Sequence, residues 1–421
     1  MPHRNCNRSK EKVAKPTKII RLPIELEEYQ SLVADRKAYR KWVDAMIRQY
    51  PVLFPKGIEN GYVLHDKRTS VKLPDIQMRR IKLKERDQEG KENVYTIVPS
   101  GVMPYLTGYT DEIERVLFLR RFGVPFWALT YVFGRDDHYW YRLFCQFGRF
   151  NIVQTTVKDV EKLPKDLLAD EKHAHFNGDK AYIATTVAED CILGASMSLT
   201  ADADGLTEAY GVFQEEAFHV DAEYAPETIN IDGWRATRLA WQTLFPLIVI
   251  IDCFLHAFLK IRDRCQKRYQ DLYSEISQRV WDIYHAENAA VFAECTEQLA
   301  LWAKINVAGN TLEAINKLCA KAELFRKTFQ YPNAYRTSNM IDRQMLPLDR
   351  WLFSSRYFHG HLVSAELQVR AWALFHNFWH YCPRAKIRER FNSPAHKLNG
   401  FVYHDNWLHN LLISASISGF S

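Results

Sequence analysis

The sequence predicts an α/β protein in which a mixed sheet with helices carries an all-α insertion and follows a mainly helical region. Three observations carry that expectation. Residues 167–199 hold successive strand-like runs, the first two joined at Asn177-Gly178, a dipeptide suited to the left-handed backbone of a tight hairpin. Residues 205–252 then alternate between helical and strand periods. From 254 to 326 the period is helical almost throughout, with charged faces and few turn residues.

Each element follows from its residues. The basic tail, residues 1–20, sets Arg4, Arg8, Lys10, Lys12, Lys15 and Lys18 against Glu11 alone, a balance that suits phosphate contact or simple solvation. Residues 26–50 place Leu32, Trp42, Val43, Met46 and Ile47 at helical spacing up to Pro51. Short alternating segments over 61–99, including Arg79-Arg80-Ile81-Lys82-Leu83-Lys84, predict a small β unit with one cationic face or a solvated edge. An amphipathic helix is expected over 111–123.

Residues 124–134 and 138–147, separated by Arg135-Asp136-Asp137, have the spacing of a helix-turn-helix, placed near 111–148. Its second helix would expose His138, Tyr139, Tyr141 and Arg142 to a DNA major groove. Helix pairs of this spacing are also abundant in proteins that touch no DNA. Residues 21–157 are therefore expected to form a DNA-binding region, and the polar run 158–165 a linker. The strands expected beyond it begin at 167 and cover 181–187, 191–199, 228–232 and 247–252, with helices over 205–219 and 235–245. The expected divisions are 166–253 for the first part of a core, 254–326 for the insertion, 327–384 for final core helices and 385–421 for a C-terminal segment.

Composition narrows the class. A chain of 421 residues with 47 % hydrophobic and 25 % charged residues is expected to be soluble, globular and divided into two or three domains. Its eight cysteines are scattered without paired Cys-x-x-Cys clusters, which fits a reducing cytoplasm better than a disulfide framework. The most apolar stretch, 244–259, is broken by Pro246, Asp252 and His256 and makes a poor membrane span. No secretory signal is visible.

The chemistry lies in dispersed acids. Asp170 falls on the first expected core strand, and Asp232 of Asp232-Gly233-Trp234 ends the fourth; acids on adjacent central strands meet at one end of a sheet. Cys253-Phe254-Leu255-His256 follows the fifth strand, and Thr337-Ser338-Asn339-Met340-Ile341-Asp342 opens a late helix. Carboxylates are natural hard ligands for Mg²⁺, and a pair of divalent cations roughly 3.5–4 Å apart serves both DNA cleavage and joining.

On these residues the chain resembles prokaryotic insertion-sequence transposases of the Mutator-like type, over about its C-terminal 60 %. In that family a Cys/Asp-x-x-His motif lies between the second and third acids of a triad, and the third acid sits in a Thr-x-Asn-x-x-Glu pattern; here Asp342 replaces the glutamate. The resemblance implies an RNase H-like catalytic core and a triad of Asp170, Asp232 and Asp342 holding Mg²⁺ or Mn²⁺. It implies partners of double-stranded DNA, both terminal inverted repeats and target. The reaction itself implies a homo-oligomer that holds two ends, working in the cytoplasm at the bacterial nucleoid.

Rivals exist for each position. Glu171 points to the opposite face of an extended strand from Asp170, Asp179 lies at the hairpin tip and Asp190 between the next two strands. Asp232 would otherwise be a turn residue or helix cap, and Glu366 competes with Asp342. Cys253 and His256, three apart on a helix, share a face; zinc would need further ligands, so core packing or orientation of the site is the expected role. The recurrent aromatics from Trp351 to Trp379 are expected mostly in the core, a minority stacking on an unpaired base. Competing functions with the same core are a structure-specific nuclease or resolvase and a domesticated DNA-binding protein without catalysis.

Overall fold

The computed structural model describes residues 17–87, 90–104, 107–265 and 272–418. Most of the expected basic tail therefore lies outside the described residues. The chain divides into two compact units, one of residues 1–162 with 363–421 and the other of 163–362. No helix among the described residues is long and apolar enough to cross a membrane.

The first unit opens with β1 (Ile19–Leu22), α1 (Leu26–Ala34), α2 (Arg36–Gln49), β2 (Tyr62–Thr69), β3 (Gln77–Arg86) and β4 (Glu92–Pro99). The strands form a sheet of order β1-β4-β3-β2 with β1 parallel to β4. The single helix expected over 26–50 is two, because Asp35 adopts extended backbone and its carboxylate accepts from the N–H groups of Lys37 (2.8 Å) and Ala38 (3.2 Å), capping α2. The cationic face expected on β3 is partly paired: Arg80 pairs with Asp66 at 2.5 Å, Lys82 pairs with Glu92 at 3.0 Å, Arg79 is buried, donating to the Val33 carbonyl at 3.1 Å, and Lys84 is exposed. Helices α3 (Thr110–Arg121), α4 (Phe126–Phe133), α5 (Asp137–Phe147) and α6 (Ile152–Thr156) follow.

The second unit contains β5 (Asp166–Phe176), β6 (Asp179–Ala188), β7 (Cys191–Ser198), α7 (Ala203–Val220), β8 (Thr228–Ile231), α8 (Arg235–Leu244) and β9 (Val249–Asp252). Asn177 (φ 52°) and Gly178 (φ 91°) both take the left-handed backbone that a tight hairpin between β5 and β6 requires. Strand order is β7-β6-β5-β8-β9, with β5, β6 and β7 antiparallel and β8 parallel to both β5 and β9. Helices α7 and α8 share an aromatic contact through Tyr210 and Trp241, 5.1 Å between ring centroids.

Helices α9 (Phe254–Cys265), α10 (Tyr273–Tyr284), α11 (Ala289–Asn306), α12 (Gly309–Ala320) and α13 (Ala322–Arg326) then form an all-α assembly with its own core, including Ile261, Ile276, Val280, Phe292 and Ile315. Next comes α14 (Asn339–Ser354). It is fastened to the β6–β7 turn, where Gln344 donates to the Asp190 carbonyl at 2.7 Å.

The last helices, α15 (Leu362–Phe378), α16 (Pro394–Asn399) and α17 (Trp407–Ser414), return to the first unit from Val363 onward. Buried Arg370 of α15 donates to the carbonyls of Gly148 (2.8 Å) and Phe150 (2.9 Å), and Ile413 of α17 joins the core of Ile20 and Leu22. A Cβ on Gly148 would lie 2.0 Å from the Leu367 carbonyl oxygen, so only glycine allows that approach. This corrects the expected divisions: 21–157 is completed by the chain's C-terminal end, and 327–384 is split between the units. The physical reason is that α15 packs on α5 through Phe375 with Phe144 and Phe147, and α17 packs on α3, α6 and β1, long-range pairings that local periodicity does not encode.

Candidate active site

Parallel pairing of β5 with β8 matches Asp166 to Thr228, Leu167 to Ile229 and Leu168 to Asn230. Extending that register by two residues sets Asp170 beside Asp232. Pairing of β8 with β9 ends at Ile231 opposite Asp252, so Cys253 comes next to Asp232 on its other side. Asp342 enters from the first turn of α14. Asp170, Asp232 and Asp342 line one cleft of about 360 Å³, together with Glu171, Lys172, Trp234, Met345 and Asp349.

Electrostatics ties the acids together. The Asp170 carboxyl is pushed up to about 6, first by burial and then by the neighbouring charge of Asp232, with Asp342 adding to it; the Glu171 N–H and His256 act in the opposite direction. Among the described residues none of the three acids has an ion pair within 4.0 Å, so their mutual repulsion is uncompensated by a nearby salt bridge. As the side chains stand, no three His, Cys, Asp or Glu groups among the described residues are gathered closely enough to hold a metal ion. The donor chemistry nevertheless fits a hard divalent cation, which favours carboxylate oxygen and relieves like-charge repulsion.

The Asp232-Gly233-Trp234 segment has a defined local logic. Asp232 Oδ1 accepts from the Trp234 N–H at 2.8 Å, closing the turn that leads into α8. Gly233 has φ 89°, and a Cβ there would stand 3.0 Å from Asp252 Oδ2 and 3.1 Å from Lys321 Nζ. Buried Asp252 pairs with Arg238 of α8 and, at 2.7 Å, with Lys321. That ion triad braces the loop holding Asp232, a role the sequence reading assigned to no residue. Its only sequence signal is an acid at the end of a strand, directly before Cys253.

Cys253 and His256 reach Asp342 through Ser338. The Ser338 hydroxyl donates to Asp342 Oδ2 at 2.8 Å, and its N–H donates to Cys253 Sγ at 3.2 Å. The Cys253 thiol lies 3.3 Å from Ser338 Oγ, and His256 Nδ1 lies 3.5 Å from the same oxygen. Hydrogen bonding to Cys253 is the first cause raising His256 to about 9; burial opposes it, and Asp342 and Asp170 add to it. Burial would raise the Cys253 thiol, but hydrogen bonds from His256 and Ser338 outweigh that and hold it below its ordinary value. The pair thus sits behind Asp342 through Ser338, which the sequence reading had passed over as part of a lead-in motif.

The rival acids stand differently: Glu171 also borders the cleft and feels the charges of Asp170 and Asp232, but its carboxylate is engaged elsewhere. The Glu171 carboxylate is turned away from Asp170 and accepts from the hydroxyls of Tyr210 (2.6 Å) and Thr237 (2.7 Å). Asp190 lies in the β6–β7 turn and Asp179 at the exposed start of β6. Glu366 lies on α15 in the first unit, whereas the other three acids belong to the second.

In the first unit, α5 carries His138 and Arg142 exposed. Tyr139 and Tyr141, expected to be exposed, are half-buried. Tyr139 donates to the Thr107 carbonyl at 2.7 Å and lies under Arg135, while Tyr141 packs edge-on against Phe126 at 5.6 Å. A denser cationic surface lies on α2, where Arg36, Lys37, Arg40, Lys41 and Arg48 rim a groove of about 560 Å³ with Asp44 and Leu64.

The chain matches no protein-family model and, in a separate comparison, no curated protein.

Proposed function

We propose that the chain is a metal-dependent DNA transposase with an RNase H-like catalytic core, in which Asp170, Asp232 and Asp342 hold divalent cations. The observation that carries this reading is the convergence of those three acids, from three separate stretches of sequence, in one cleft beside the parallel strands β5 and β8. Strand order β7-β6-β5-β8-β9, with three antiparallel strands followed by two parallel additions, supports the RNase H-like assignment.

When bound, Mg²⁺ or Mn²⁺ would activate the attacking oxygen and neutralise the phosphorane-like transition state and the leaving 3′ oxygen. The chain's own residues do the remainder. Asp170 and Asp232 supply oxygen donors from adjacent strands, while Ser338, Cys253 and His256 fix the carboxylate of Asp342. The Asp252 triad packs against the turn at Gly233 that follows Asp232. Lys172, paired to Asp349 at 2.5 Å on the rim of the cleft, adds a cation near the path of a phosphodiester.

The exposed cations of α2, with Arg142 and His138 of α5, support DNA contact by the first unit. Water attacks the element end first, and the freed 3′ hydroxyl then attacks target DNA, so no covalent protein–DNA intermediate is required. The test is a strand-transfer assay with Mg²⁺ or Mn²⁺ on duplexes carrying the terminal inverted repeats that flank the gene, compared with four-way and flap DNA. Joined products from the repeats support a transposase. Cleavage confined to branched DNA would assign the same core to a structure-specific nuclease, and binding without cleavage would assign a domesticated DNA-binding protein.

A further inference from the structure

Helix α4 is anomalous for a surface helix. From Phe122 to Gly134 the chain has no charged side chain, and of the helix itself only Leu129 is buried. Trp127 is 70 % exposed, Tyr131 88 % and Val132 65 %, with Phe122 at 62 % just before the helix. Residues four apart are neighbours on a helix, so exposed Trp127 lies beside exposed Tyr131, and half-buried Ala128 lies beside exposed Val132, two adjoining apolar rows away from buried Leu129. Isolated exposed apolar residues are ordinary; a contiguous aromatic stripe without charge marks a contact surface.

The partner is constrained by chemistry. Phosphate backbone is excluded as the main ligand of this face, because it offers no cation, and the first helix of a helix-turn-helix that crosses a DNA backbone would need one. The basic N-terminal segment of the same chain is unsuited for the opposite reason. A second copy presents the same uncharged stripe, and a two-fold axis allows like faces to meet with no charge buried. With aromatic side chains of about 150–250 Å², Trp127 and Tyr131 together with Val132 offer on the order of 500 Å² per copy. Two copies would bury on the order of 1,000 Å², the lower bound for a specific interface.

We propose that α4 is a homodimer contact in which Trp127 and Tyr131 pack against their counterparts in a second copy. The proposal rests on the proposed function only in that joining two DNA ends calls for more than one copy; the surface itself is argued from exposure and composition. Sedimentation velocity of the full chain without DNA, over a concentration series spanning the micromolar range, tests it. The expected result is a concentration-dependent dimer whose dissociation constant rises by roughly thirtyfold or more in Trp127→Glu/Tyr131→Glu. Leu247→Glu, at a lone residue 94 % exposed in the second unit, should leave the dimer intact.

Should the double variant lose its native circular dichroism, Tyr131→Lys alone serves as the probe. A chain monomeric throughout the series overturns the proposal, as does a dimer that the α4 variants leave unchanged. Binding of a monomer to lipid vesicles through α4 would overturn it in favour of a membrane surface. Because no DNA or catalysis enters the measurement, failure of strand transfer and failure of the dimer contact are read separately.

Discussion

Asp170 and Glu171 adjoin in the chain yet face different chemistry, because a strand turns alternate side chains to opposite faces. Both border the acid cleft, but the Glu171 carboxylate is buried and accepts from the hydroxyls of Tyr210 and Thr237. Burial first, with the charges of Asp170 and Asp232 adding to it, pushes the Glu171 carboxyl from 4.5 up to about 7, the two hydroxyl donors opposing. The folded chain therefore holds that proton more tightly than the unfolded chain. The associated stability is fully present below the unfolded value of 4.5 and is lost as pH rises toward about 7. Relative to Glu171→Gln, the wild type should lose on the order of 3 kcal/mol between those limits. Urea unfolding across that pH range checks this, and parallel stability curves for the two proteins would show that Glu171 does not titrate as described.

Elements were legible in proportion to how local their causes are. The hairpin at Asn177-Gly178, the helix–strand alternation after it and the helical insertion all follow from turn chemistry and period, and all are present. The break at Asp35 was missed because a capping aspartate interrupts an otherwise continuous helical pattern. Tyr139 and Tyr141 were read as exposed because their partners, Thr107 and Phe126, lie on other segments. On β3, Arg80 and Lys82 pair with Asp66 and Glu92 and Arg79 donates to Val33, while Lys84 stays exposed; on α2, five cations are exposed. Arg36→Ser/Lys41→Ser should therefore weaken duplex binding and reduce the slope of log K against log salt by roughly 1–2. Fluorescence anisotropy on a random-sequence duplex is the measurement. An unchanged slope would remove α2 from the DNA contact.

At the scale of the whole molecule, the first unit is assembled from both ends of the chain, so that residues 163–362 interrupt it as one block. A fragment of residues 1–157 lacks the helices that bond Gly148 and Phe150 and complete the Ile20 and Leu22 core. It should not unfold cooperatively, whereas residues 163–362 made alone should. Circular dichroism melts of the two fragments decide this, and a sharp transition for 1–157 would contradict the two-ended assembly. In sequence, Asp232 follows a strand and Asp342 opens a helix, whereas Asp170 lies within β5 and was singled out only by the family resemblance. Sequence patterns did not reveal Asp252 or Ser338, whose roles depend on Lys321, 69 residues away, and on Cys253, 85 residues away.

The central claim is that Asp170, Asp232 and Asp342 form one divalent-metal site for DNA strand cleavage. The most direct test is metal-dependent cleavage of a plasmid carrying the flanking terminal repeats, by the wild type and by Asp170→Asn, Asp232→Asn, Asp342→Asn and Glu366→Gln. Asparagine keeps shape and removes the charge that holds the cation. Each of the three Asn variants should lose at least about a hundredfold in cleavage rate while binding DNA as the wild type does, and Glu366→Gln should cleave within a few-fold of the wild type. Full cleavage by any one of the Asn variants, or its loss in Glu366→Gln with Asp342→Asn active, would contradict the account.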